Sequence, residues 1–221
     1  MRRSGLFAAS ALALLSCARP AGAFSTRVHI TIANDVRRAL IASGSNRVAL
    51  QLSPHAVELA ADDARAVIDH PLEFRAGAVG PDNIAFPGLT DPSHAVGQRP
   101  FEQCEALYQE AKLPAERAYA LGCFLHGATD AVAHHYVNYL SGETFTLTPL
   151  ASGRESSFDN VVKHLVAESM IQQAALALAP ERFAPGELAH AVPKGFVLRT
   201  YFDETSALYG LMGGHAQAKL A

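Results

Sequence analysis

Between residues 126 and 134 the chain reads His-Gly-Ala-Thr-Asp-Ala-Val-Ala-His. Steps of four residues turn a helix by only about 40° each, so His126, Asp130 and His134 would share one helix face. Burying such a row alone is costly; it calls for water, hydrogen-bond partners or a metal ion.

The surrounding pattern is helical. Apolar residues recur at helical spacing from Val28 to Ala42. Ser53-Pro54 reads as a cap followed by a first-turn proline, opening a helix to about Ile68. Pro114 opens a long helix through Leu140 that contains the His-Asp-His row. Another helix starts at Ser156 or Ser157 and runs to Leu178. After a break from Pro180 to Pro185, one or two helices continue from Ala189 to Leu220. Pro71 to Pro100 is rich in Gly, Pro, Asp and Asn with little periodicity, and reads as a loop long enough to be functional. The Thr-Phe-Thr-Leu-Thr stretch after Ser141 reads as a short extended piece. The expected fold is all-α, a single compact multi-helix domain with one long metal-bearing loop between its second and third helices.

The chain has 221 residues, enough for a sizeable core. Residues 1–23 are set aside as a signal peptide. Arg2 and Arg3 precede a short apolar run, and Ala21-Gly22-Ala23 is a small-residue cleavage signal. The expected mature domain is therefore 24–221, exported to the periplasm or beyond. A lipoprotein-like alternative at Cys17 ranks second, because the leucine before Ser16 fits such a site poorly. Removing the signal deletes three arginines and no acids, which takes the formal charge from −3 to −6. That balance gives no electrostatic footprint for nucleic acid. Cys104 and Cys123 remain; in an exported chain they form either a disulfide or two buried thiols.

Ten histidines invite a census of metal-type residues. His164 and Glu168 also stand four apart, and i,i+4 ligand pairs can reach one ion. The long loop contributes Asp82 and His94, and His29 lies five residues after Phe24. Singly, each of these is more often an ordinary hydrogen-bonded residue. His55, His70, His190 and His215 read as residues without a site role, and Phe124, Tyr136 and Tyr139 as helix packing.

As an ordered set, Phe24, His29, Asp82, His94, His126, Asp130, His134, His164 and Glu168 resemble the ligand order of the trinuclear zinc phosphodiesterases. That family includes zinc-dependent phospholipases C, glycosylphosphatidylinositol phospholipases and single-strand-specific nucleases. The resemblance spans Phe24 to Glu168. It implies three Zn2+ ions, one on Asp82, His94, His126 and Asp130. The second would use the Phe24 amino terminus and His29, with Asp130 bridging to the first. The third would use His134, His164 and Glu168, with His135 as the alternative to His134 because the step from Asp130 is shorter than in the secreted phospholipases. Phe24 stands where the family has tryptophan, so backbone ligation would survive with different side-chain packing. Without thiolates, these sets suit catalytic zinc.

The resemblance further implies a phosphodiester hydrolase in which Asp82 orients or deprotonates the attacking water. The substrate expectation is a phospholipid, with the enzyme a phospholipase C making peripheral membrane contact. The chain has no tryptophan to stack bases, and Ile84, Phe86 and Leu89 offer an apolar loop near Asp82. A single-strand nuclease is the alternative, followed by a non-catalytic, metal-stabilised lipid-binding module. A monomer is expected.

Overall fold

The computed structural model describes residues 26–49, 56–83, 100–141 and 158–211. The architecture is all-α, as expected. It begins with helix α1 (Thr26–Ser43), followed by a two-stranded antiparallel hairpin, β1 (Arg47–Ala49) and β2 (Ala56–Glu58), in which Val48 faces Val57. Helices α2 (Ala61–Asp69), α3 (Pro71–Asn83), α4 (Pro100–Glu110), α5 (Pro114–Ser141) and α6 (Phe158–Leu178) follow. A 3-10 turn at Pro180–Phe183 leads to short helices α7 (Pro185–Leu188), α8 (Lys194–Phe202) and α9 (Ala207–Leu211).

α5 is the axis of the molecule, 28 residues and about 42 Å long. Its start is fixed locally. The Glu116 carboxylate accepts from the backbone amides of Lys112 (2.8 Å) and Leu113 (3.1 Å), reaching back over the first turn as in a capping box. Arg199 of α8 pairs with the same oxygen at 2.8 Å. Burial by itself would raise the Glu116 carboxyl, but Arg199 and the two amides outweigh it and hold the group below its ordinary value.

Two apolar clusters pack against α5. Ala33, Leu40, Ala64, Val67, Phe74 and Ala78 pack with Ala118 on the side of α1, α2 and α3. Leu107, Tyr119, Cys123, Phe196, Tyr201 and Leu208 fill the side of α4, α8 and α9. Phe124 joins the second cluster as partly buried packing, stacked near Phe101, in line with the sequence reading.

Four expectations need correction. First, Pro71 to Asn83 is helix, not loop. Phe74 to Gly80 are all buried, so α3 is covered on every side and has no polar stripe to give its sequence a helical period. Pro81 is tolerated because it stands in the last turn. Second, the helix expected from Ser53 to Ile68 begins only at Ala61. The residues before it, Ala56–Glu58, are taken by pairing with Arg47–Ala49, and Asp62 and Asp63 supply the acidic first turn. Third, the stretch before Pro114, where the sequence shows no clear element, is helix α4, held partly by its disulfide to α5. Fourth, Tyr136 and Tyr139 are not packing residues; they are 66% and 84% exposed. The Thr-Phe-Thr-Leu-Thr stretch lies outside the described residues.

Cys104 and Cys123 are fully buried and form a disulfide that fastens α4 to α5 across 19 residues of sequence. Constraining a loop of that size stabilises a fold by about 3 kcal/mol. The paired substitution Cys104→Ala, Cys123→Ala is expected to lower unfolding free energy by roughly that amount in a denaturant titration. An unchanged midpoint would show that helix packing alone fixes α4.

No described helix is long and apolar enough to cross a membrane.

A candidate metal centre between α1, α3 and α5

The centre depends on how closely α3 approaches α5. A Cβ placed on Gly77 would lie 1.9 Å from the Tyr119 carbonyl oxygen, and one on Gly122 would lie 2.1 Å from that of Phe74. The two backbones therefore touch, with only hydrogen at both positions. One turn beyond Gly122, this approach brings the Ala78 carbonyl oxygen to 2.9 Å from His126 Nδ1. A carbonyl only accepts, so Nδ1 carries the proton and donates. In the neutral ring that leaves the Nε2 lone pair pointing away from α3, the backing common among metal-bound histidines.

His126 Nε2 lies 3.0 Å from Asp130 Oδ2, one turn along α5. His29, from α1, places its Nε2 3.3 Å from Asp130 Oδ1. The two imidazoles stack, with centroids 4.3 Å apart and planes 22° apart. The carboxylate thus offers a separate oxygen to each ring. One ligand atom from each of the three residues falls within 4.8 Å of the others, a grouping that could hold a metal ion.

The donor chemistry fits such an ion. Tetrahedral zinc with ligands at about 2.05 Å has ligand-to-ligand edges of about 3.3 Å, close to both nitrogen–oxygen separations here. A neutral His126 with its proton on Nδ1 would turn a lone pair towards a carboxylate oxygen, and a shared cation or a ring proton resolves that repulsion. His29 and His126 are 1% and 3% exposed, whereas Asp130 opens partly to solvent.

Electrostatics shift His29 and Asp130 towards the forms that could bind a cation. Burial lowers the pKa of His29. The Asp130 hydrogen bond opposes it, His126 adds to it, and the charges of Asp130 and Glu168 raise the value, with a net result below the ordinary one. At Asp130, burial works upwards, but hydrogen bonds and charge from His126 and His29 outweigh it and hold the carboxyl far below the usual carboxylate range.

Both shifts have the same consequence for stability. The unfolded chain takes up a proton at its histidine near pH 6.5, and the folded chain does so only at lower pH. Stability is therefore fully present above that value and lost as pH falls through it; the depressed Asp130 carboxyl adds a further loss below about pH 4. The melting temperature of metal-free protein is expected to fall between pH 7 and pH 5, with His29→Gln flattening the slope. A melting temperature that is level or rises on acidification would contradict these environments.

The remaining predicted residues fall in three groups. His134 and Glu168 are buried, at 4% and 1% exposure, and α5 and α6 pack together. The charge of Glu168 is the smallest of the influences that raise the His29 pKa. His135 is exposed on the opposite side of α5, so His134 is the inward-facing member of the pair. Asp82 stands in the last turn of α3 and His164 on α6, and the side chains of both lie outside the described residues. Phe24 and His94 lie outside them entirely, as do Ile84, Phe86, Leu89, His55 and His215. Of the histidines read as having no site role, His70 is partly buried at the end of α2. His190 is exposed, its Nδ1 3.0 Å from the Leu188 carbonyl.

The sequence reading missed the Ala78 carbonyl and the Gly77–Gly122 approach. A backbone acceptor has no residue-type signature. Two glycines 45 positions apart announce a close helix crossing only once both segments are recognised as helices.

Comparison with protein-family models, with characterised proteins and with solved structures found no match to this chain.

Proposed function

We propose that this chain is a zinc-dependent phosphodiester hydrolase, most simply a phospholipase C that releases phospholipid headgroups. The reading is carried by one observation: two stacked, buried imidazoles on different helices, each facing its own oxygen of Asp130. A carboxylate presented in this way is suited to bridging two ions, the role the resemblance assigns to Asp130. Zinc held there would bring a water's pKa towards neutrality and polarise a phosphoryl oxygen.

The protein's own groups have separable parts in this proposal. Ala78 fixes the ring of His126. Asp130 joins the His29 and His126 sides. His134, His164 and Glu168 would hold a third ion, and Asp82 and His94 would complete the ligand set of the first. The Phe24 amine, released by signal cleavage, completes the second. Asp82 would orient or deprotonate the attacking water, besides serving as a ligand. The protein is exported, acts as a monomer on phospholipid and needs three zinc ions.

The test uses protein processed to Phe24 and loaded with zinc, assayed for diacylglycerol release from phosphatidylcholine vesicles and for nucleotide release from single-stranded DNA, with and without chelator. Chelator-sensitive lipid hydrolysis is the expected result, abolished in Asp82→Asn with most zinc retained. Cleavage of DNA alone would make the protein a nuclease. Zinc binding with neither activity would leave a metal-stabilised binding module. Full activity in Asp82→Asn would remove the role given to that residue.

A further inference from the structure

A groove runs along the crevice between α1 and α5, the helices that carry His29 and Asp130. Ile32, Ala128, Thr129, Val132, Ala133 and Tyr136 line it; it is open to solvent, with a volume of about 360 Å³. That volume is at the small end of ligand pockets. Its register on both helices puts its lining on faces adjoining those of His29, Asp130 and His134. Ile32 stands three residues after His29 on α1, while Thr129 and Ala133 immediately precede Asp130 and His134 on α5.

The lining carries no charge. Its one aliphatic hydroxyl, that of Thr129, donates to the Leu125 carbonyl at 2.8 Å and so is turned to its own helix. Val132 and Tyr136, 63% and 66% exposed, form the outer wall, and Tyr139 and Leu140 extend the apolar surface to the last turn of α5. Exposed apolar side chains of this size in one patch mark a docking surface, and tyrosine suits a boundary between water and lipid.

We infer that the α1–α5 groove receives the acyl-bearing side of the phosphodiester substrate, with Val132 and Tyr136 setting a preference for lipid esters over soluble ones. The inference rests on the phosphodiesterase reading above. Its argument is continuity: the groove opens from the helices that carry His29, Asp130 and His134, and its chemistry matches hydrocarbon, not a headgroup or a sugar.

Val132→Glu and Tyr136→Ser test it in zinc-loaded, processed protein. The first readout is the ratio of turnover on long-chain phosphatidylcholine vesicles to turnover on soluble p-nitrophenylphosphorylcholine. The second is co-sedimentation with vesicles of a phosphonate analogue whose glycerol-side carbon–phosphorus bond resists hydrolysis. Each substitution is expected to lower the turnover ratio at least tenfold and to weaken co-sedimentation. An unchanged ratio in both variants, with wild type active on both esters, overturns the groove assignment and leaves the phosphodiesterase reading standing. Hydrolysis of neither ester by wild type overturns that reading, and with it the groove's role towards substrate, even where co-sedimentation persists. A wild-type dimer that Tyr136→Ser converts to monomer assigns the groove to a second copy and overturns the inference.

Discussion

Asp130→Asn is expected to lower zinc affinity by at least about 100-fold, since removing even a residue that only supports a ligand costs 10–100-fold. The effect is large because Asp130 faces both imidazoles, at 3.3 Å from His29 and 3.0 Å from His126. Asparagine keeps the shape and remains compatible with α5. It removes the charge and one of the two acceptor oxygens, so it can no longer serve both rings. The metal-free variant should remain folded, with a far-ultraviolet helical spectrum like that of wild type. The measurement is competition with a chromophoric zinc chelator, which reads affinity without requiring turnover. An affinity within a few-fold of wild type would mean that zinc binds elsewhere.

Gly122→Ala is expected to be strongly destabilising for so conservative a change, costing about 3 kcal/mol or more by overpacking. The added methyl would sit 2.1 Å from the Phe74 carbonyl oxygen, 2.7 Å from the Ala78 amide nitrogen and 2.9 Å from Gly77 Cα. All three are backbone atoms, so no side chain can swing aside and α3 must move away from α5. The damage reaches the centre through one atom. Ala78, whose amide meets the new methyl, also supplies the carbonyl that holds His126 Nδ1 at 2.9 Å. Loss of zinc affinity should accompany loss of stability, and a denaturant titration with zinc competition on the surviving folded fraction reads both. By contrast, Gly186→Ala and Gly195→Ala, where an added Cβ meets nothing within 4 Å, should change neither beyond about 0.5 kcal/mol. Equal behaviour of Gly122→Ala and these controls would refute the close-approach account.

The contrast between α5 and α3 shows which parts of the fold were legible in the sequence. α5 has a proline at its first position, an acidic third residue and chemistry-bearing residues every four positions, so its bounds and its functional face could be read directly. α3 is buried on all sides through Phe74–Gly80 and rich in glycine because it touches another backbone, so the features that make it essential also erase its periodicity. The hairpin was hidden for a different reason. Three-residue strands carry too little alternation to outweigh a Ser-Pro helix start.

The site was partly legible on the same terms. His126 and Asp130 were evident from spacing, and His29 only from the order of ligands along the chain, because it approaches from another helix. Which of His134 and His135 faces inward depends on the rotation of α5 against its neighbours, and the fold buries His134 and exposes His135. The pairing of Cys104 with Cys123 likewise required the helix bearing Cys104, which the sequence did not reveal.

The most direct measurement of the metal centre is anomalous diffraction at the zinc edge from crystals of the processed, zinc-loaded protein. The account predicts peaks within about 2.2 Å of His29 Nε2, His126 Nε2 and the Asp130 oxygens, and a further peak beside His134 and Glu168. Saturating zinc that leaves no anomalous peak between His29, His126 and Asp130 would contradict it.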